Sequence, residues 1–359
     1  MATSFSHLQR AGILSGYGAF TGRLFARGED REMALAIDSG LALVEDGLRE
    51  QVRFADQVAD VTTRYLMQAG GKRIRPLLTL LAAQLGQGNT AEVITAAQTV
   101  EITHLASLYH DDVMDDSHMR RGVPTAQFVW GNSVAVLTGD LLFARASRLI
   151  SSLGERAIQL QADTFERLCI GQLHETIGPQ EGDDPIEHYI RVLEDKTGSL
   201  IAVSAQMGVV FSGADPAYEQ PIVTFGEKIG VAFQLIDDVI DLSPKGAAET
   251  GKTPGNDLRA GVATLPLLRL RERAASDAGA AQLLSRLEND VIGTADDGAI
   301  TPDALAAISA LREHEVTTQT LAEAHRWARE ATDALEALPR GSVKKALVRF
   351  ADTMVERSR

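Results

Sequence analysis

Apolar positions recur along most of this chain at steps of three and four residues. From about Arg31 onward, Leu41, Val44, Leu48, Val52, Ala55, Val58 and Thr62 fall on one stripe, the pattern of a long amphipathic helix. Gly70-Gly71 ends that helix, and Pro76 stands near the start of the next. The same period predicts helices over 77–86, 91–115, 131–151, 156–177, 186–212 and 217–242. Further helices are expected over 258–273, 276–293, 302–314, 316–337 and 341–357. Breakers separate them at Gly122-Val123-Pro124, Glu181–Pro185 and Ala214-Asp215-Pro216. Residues 243–261, rich in Gly, Pro, Lys and Asp, read as one long functional loop. No alternating strand pattern, internal repeat or low-complexity tract persists. The expectation is an all-α fold, with a flexible Gly-rich N-terminal arm over residues 1–30 and one helical domain over 31–359.

Composition adds constraints. Apolar residues are 45% of the chain and charged residues 23%, the balance of an ordinary globular protein. A net charge of −14 argues against a nucleic-acid partner, so an anionic substrate would need clustered Lys and Arg or metal ions. The single cysteine, Cys169, excludes an intrachain disulfide, fits a reducing cytoplasm and is expected to be a buried structural residue. No apolar run approaches the ~20 residues of a spanning helix. Residues 1–28 carry Arg10, Arg23 and Arg27 without an acid, a weak likeness to a transit peptide; a flexible arm is the simpler reading.

The strongest chemical signal is a repeated acidic cluster. Asp111-Asp112-Val113-Met114-Asp115 and Asp237-Asp238-Val239-Ile240-Asp241 each continue an apolar helix. In each, the outer acids are four apart and share a helix face, where they repel one another and oppose the helix dipole. Folding asks for this arrangement nowhere, but divalent cations do. Magnesium takes one or two carboxylates plus water and phosphate oxygens, so two such helices could hold metal around one diphosphate. Manganese is a chemically similar substitute.

Basic residues accompany the acids. Gly70-Gly71-Lys72-Arg73-Ile74-Arg75-Pro76 frames Lys72 and Arg75 at a helix opening, where free N–H groups favour an anion. Arg120-Arg121 follows the first cluster, and Lys196-Thr197-Gly198 and Lys252 complete a set consistent with two phosphate sites, one with metal and one without.

From Ala69 to Pro266, GGKRIRP, HLASLYHDDVMDDSHMRRGVPT, GNSVAVLTGDLL, DKTGSL, GVAFQLIDDVID and GKTPGNDLRAG before TLP together resemble the trans-prenyltransferases, the polyprenyl diphosphate synthases. The resemblance implies the isoprenoid synthase fold, a helical bundle with a central cavity, and a homodimer. It implies magnesium on Asp111 and Asp115, supported by Asp112, and on Asp237 and Asp241. It places isopentenyl diphosphate on Lys72, Arg75, His104 and Arg121, and the allylic diphosphate on Arg120, Lys196, Thr197 and Gln234, with Lys252 closing over it. Small residues at Ala106 and Ser107, about five positions before the first acid, leave the product channel open and favour a long product, such as a quinone side chain. A short-chain farnesyl or geranylgeranyl product is the alternative. A lipid product would also fit a peripheral membrane contact for its release.

Three positions depart from the pattern: Val262 replaces a common Lys, Gly171–Glu175 reverses the usual Glu and Gln, and Gln127 replaces a common His or Asn. None removes a metal ligand. A class I terpene cyclase would lack the second DDxxD and GGKRxRP. A non-catalytic partner subunit would carry broken acidic motifs, and a metal-dependent phosphohydrolase would need a water-activating constellation that is absent from the sequence.

Overall fold

A computed structural model describes residues 22, 24, 25, 30–243, 254–294 and 300–356. The arm over residues 1–30 therefore lies almost wholly outside the described residues, as does Lys252. Among those described, the chain is helical apart from one two-stranded ribbon. Its contacts fall into two compact units. The first holds the described residues of Met1–Glu166 with Leu200–Gly226 and Ala334–Phe350; the second holds those of Arg167–Ser199, Glu227–Asp333 and Ala351–Arg359.

In the first unit, α1 (Arg31–Gln51), α2 (Gln57–Gln68) and α3 (Ile74–Ala83) precede the central helix α4 (Ala91–Met114). Val93, Ala97, Val100, Ile102, Leu105 and Tyr109 are buried on different sides of α4, as expected of a helix surrounded by others. α1, α3, α5 (Ala126–Trp130) and α6 (Asn132–Ser151) pack against it. Gly139 of α6 makes a close approach, because a Cβ there would lie 2.3 Å from the His110 ring and 3.2 Å from the Ala106 carbonyl oxygen.

The single long helix expected through Leu41–Thr62 is instead broken between α1 and α2. Asp56 caps α2 by accepting from the Ala59 N–H at 2.9 Å. Asp60 accepts from the Phe54 N–H at 3.1 Å, and the Thr63 hydroxyl donates to the Val52 carbonyl at 2.9 Å. Asp56 and Asp60 lie between positions of the apolar stripe and Thr63 directly follows its last one; the period runs on through the break and so conceals the turn.

α7 (Glu155–Ile177) follows, then α8 (Pro185–Leu193), a π-turn over Glu194–Gly198, α9 (Ser199–Phe211) and α10 (Glu219–Asp241). The expected helix 186–212 is thus interrupted at Lys196-Thr197, where one wide turn replaces the α ladder. The expected helix 258–273 is also split, into α11 (Asn256–Arg259) and α12 (Leu265–Ala274), with Pro266 in the first turn of α12. α13 (Ala278–Asp290), α14 (Pro302–Glu313), α15 (Glu315–Ala334) and α16 (Ser342–Val355) complete the chain. Leu242, Leu258, Leu267, Leu270, Leu287, Ile308 and Leu311 form a core of the second unit.

Cys169, expected to be buried, is exposed on α7. Its neighbours Ile170 and Leu173 are exposed as well. No helix of the described residues is long and apolar enough to cross a membrane.

Candidate functional site

The first acidic cluster ends α4. Asp115 is its exposed C-cap, Asp111 is half-buried one turn earlier, and Asp112 is fully buried. Asp112 accepts from Arg120 through one carboxylate oxygen at 2.7 Å, and its other oxygen is buried without a hydrogen-bond partner among the described residues. Burial raises its pKa against the opposing pull of Arg120. Asp111 and Asp115 therefore keep some exposure while Asp112 anchors the segment beyond the helix.

That segment is the ribbon of β1 (Met119–Arg120) and β2 (Val123–Pro124), which pairs Arg120 with Val123. Its turn residues Arg121 and Gly122 have φ of 53° and 78°, the left-handed backbone that a two-residue hairpin demands. The turn sends the Arg121 guanidinium to the carbonyls of Leu66, at 3.2 Å, and Gly70. Arg121 thereby covers the open end of α2 and meets the glycine loop.

Gly70, Gly71 and Arg73 all have positive φ, at 95°, 149° and 45°. A Cβ on Gly71 would lie 2.8 Å from Arg73 Nη1 and 3.0 Å from the Arg121 guanidinium carbon, so only glycine lets both cations close on the loop. Arg73 is buried and paired with two carboxylates, whereas Arg75 two residues later is half-buried, with its Nε lacking a hydrogen-bond partner among the described residues. Burial pulls the Arg75 pKa down to about 10, which leaves it charged at neutral pH. His104 sits about two turns of α4 before Asp111, and burial together with Arg75, Arg121, Arg120 and Arg73 drives its pKa well below the ordinary value, so it is neutral near pH 7. A half-neutralised group of cations at a helix opening fits a dianionic or trianionic phosphate. Lys72 is exposed at the rim.

Nearby, Ala106 is fully buried and the Ser107 hydroxyl donates to the His104 carbonyl at 2.9 Å. Tyr109 turns its hydroxyl to α2, donating to the Thr62 carbonyl and accepting from the Leu66 N–H. Gln127 is buried, with its amide donating to the Ser117 carbonyl at 3.0 Å.

The second unit builds the second cluster on the end of α10. Asp237 and Asp241 are half-buried; Asp238 is buried. Asp238 accepts from the Tyr189 hydroxyl at 2.7 Å and from the Leu265 N–H at 3.4 Å. With no cation paired to it among the described residues, burial pushes it up to about 8, and burial together with Asp238 raises Tyr189 well above the usual phenol range. Asp241 accepts from the Asp257 N–H at 3.1 Å, which fastens the return of the long loop to the cluster.

Lys196 and Thr197 lie in the π-turn, and Lys196 pairs with Glu175. Three glycines admit that wide turn. A Cβ on Gly171 would lie 2.7 Å from the Lys196 nitrogen, and one on Gly230 would lie 2.7 Å from the Cα of Gly198. Arg167 clamps it, with Asp195 at 2.9 Å and Glu227 at 2.7 Å. Gln234 is half-buried one turn before Asp238. Glu175 and Tyr189 also line a cavity of about 690 Å³ together with Val262, which is exposed and supplies no charge there.

Sequence reading missed Arg73, Tyr189 and Arg167, because their partners are distant in sequence. Among the described residues no three His, Cys, Asp or Glu side chains gather into a closed metal cage. The donors present are all hard carboxylates, two to a cluster, which fits a cation that completes its shell with water and phosphate rather than with protein.

Comparisons with known proteins agree with this chemistry. The "Polyprenyl synthetase" family matches residues 56–295. A nonaprenyl diphosphate synthase of Mycobacterium tuberculosis is 42% identical over 329 residues, covering 91% of this chain and 95% of its own. A decaprenyl diphosphate synthase from Rhodobacter capsulatus superposes with a TM-score of 0.78 at 32% identity, covering 92% of this chain and 99% of its own. A polyprenyl synthase from Caulobacter crescentus, complexed with calcium and isoprenyl diphosphate, gives a TM-score of 0.79 at 30% identity over 94% of this chain and 98% of its own.

Proposed function

The chain belongs to the polyprenyl synthetase family, and on that premise we propose that it is a magnesium-dependent trans-polyprenyl diphosphate synthase making a long-chain product. The observation that carries the reading is the repeated cluster, in which the outer acids are accessible while the middle acid is buried and anchored. Asp111, Asp115, Asp237 and Asp241 would hold magnesium. When bound, the metal supplies positive charge for the diphosphate that leaves the allylic substrate.

Lys72, Arg75, His104 and Arg121 bind the diphosphate of isopentenyl diphosphate. Lys196, Thr197 and Gln234 hold the allylic diphosphate, joined by Arg120 on its accessible side and by Lys252, which lies outside the described residues. These groups stabilise charge on the leaving diphosphate, so the allylic C–O bond ionises; the isopentenyl double bond attacks the resulting cation. The departing diphosphate takes the proton that is lost, and no Ser, Cys or His nucleophile is needed. The protein's contribution is orientation, fixed charge and exclusion of water.

Ala106 and Ser107 support the long product, because both side chains are small and the Ser107 hydroxyl is bonded to the His104 carbonyl. The described residues from 31 onward serve one helical enzyme domain. It acts as a homodimer in the cytoplasm, supported by an exposed apolar stripe of Val136, Leu137 and Leu141 on α6 and by the single cysteine. Product release uses a peripheral membrane contact. The test is to incubate the protein with magnesium, labelled isopentenyl diphosphate and allylic primers of different length. Long linear prenyl diphosphates are expected; cyclic hydrocarbons, free phosphate or no product would overturn the reading.

A further inference from the structure

Arg73 stands between the two basic residues to which a phosphate role falls, yet its own guanidinium is not available to a ligand. Its side chain is 2% exposed, with Nε 3.0 Å from Glu45 of α1 and Nη1 2.9 Å from Glu101 of α4. Its backbone is left-handed at φ 45°, a region that costs a non-glycine residue on the order of 1 kcal/mol and persists only where the surroundings enforce it. Here the enforcement is visible: two buried carboxylates from two helices hold the head of the side chain while its backbone caps α3. Arg75 lies in the first turn of α3, which begins at Ile74, and the Leu77 N–H donates to the Arg73 carbonyl at 3.0 Å.

Glu101 has a second effect. It lies one turn before His104 on α4 and is the strongest charge acting to keep Arg75 protonated. The Arg73 pair thus locks the loop to the same helix that presents His104. We infer that Arg73 is a positioning residue for the isopentenyl diphosphate site, fixing the spacing of Lys72 and Arg75 against His104 without touching substrate. The inference rests on the synthase reading above.

Arg73→Lys keeps one charge but loses the two-pronged grip on Glu45 and Glu101. It is expected to raise KM for isopentenyl diphosphate at least ~10-fold while KM for the allylic diphosphate stays within about twofold. Glu45→Gln, which loosens the clamp from the far side, should move the same constant in the same direction by less. Titration with inorganic diphosphate should weaken in parallel. A lowered melting temperature with both KM values unchanged, or with both raised equally, would show a merely structural residue and overturn the inference. If Arg73→Lys fails to fold, Glu45→Gln carries the same two outcomes. Absence of turnover in the unaltered enzyme would overturn the synthase reading instead, and the diphosphate titration would still report on the clamp.

Discussion

The two acidic clusters share a sequence pattern but differ in how their middle residue is held. Asp112 is buried against a cation, Arg120, that comes from the neighbouring ribbon. Asp238 is buried against a neutral hydroxyl and a backbone N–H. In the first, Arg120 opposes the upward push of burial, while the second is pushed up to about 8 and is mostly protonated at neutral pH. The outer acids are accessible in both clusters. On the proposed reading the outer pair carries the shared chemistry, and each buried centre solves a local anchoring problem.

The comparison breaks most sharply at the ends. Asp111→Ala and Asp237→Ala should each lower turnover at least ~100-fold, about 2.7 kcal/mol of transition-state stabilisation, in a steady-state assay. A near-normal rate in either would end the equivalence of the clusters. The centres should differ in stability. Asp112→Asn leaves Arg120 without its counter-charge and is expected to cost about 3 kcal/mol in denaturant unfolding, the low end for a broken buried pair because Arg120 is 25% exposed. Asp238→Asn replaces a largely neutral group by a neutral one and should cost about 1 kcal/mol or less. Equal costs would erase the distinction.

A smaller effect concerns the cation group beside the first cluster. His104 has a folded pKa depressed below its unfolded value of about 6.5. Between the two values the unfolded chain binds more protons, so stability rises with pH there; the contribution is present above pH 6.5 and is lost as pH falls through the folded value. His104→Gln should flatten that acid limb in unfolding measured from pH 5 to 7.5, whereas a neutral residue in the second unit should leave it intact. Smallest in rate, but informative about the channel, Ala106→Phe is expected to shorten the product on chromatography of the dephosphorylated prenols. An unchanged chain length would show that this turn of α4 does not bound the channel.

The residues themselves settled the helical class, the paired clusters and the glycine-framed basic loop, since period, spacing and residue type are local properties. Tertiary structure alone decided that Asp112 is spent on Arg120 and Asp238 on Tyr189, that Arg73 is a clamp while Arg75 is available, and that Cys169 is exposed. It also placed the break after α1 and the π-turn at Lys196, where Asp60, Thr63 and Gly171 satisfy or admit an irregular backbone. The physical reason is common to all of these. Burial and counter-charge depend on partners that approach through space, as Glu45 does across 28 positions to reach Arg73, and no local pattern encodes which side chain a folded neighbour will claim.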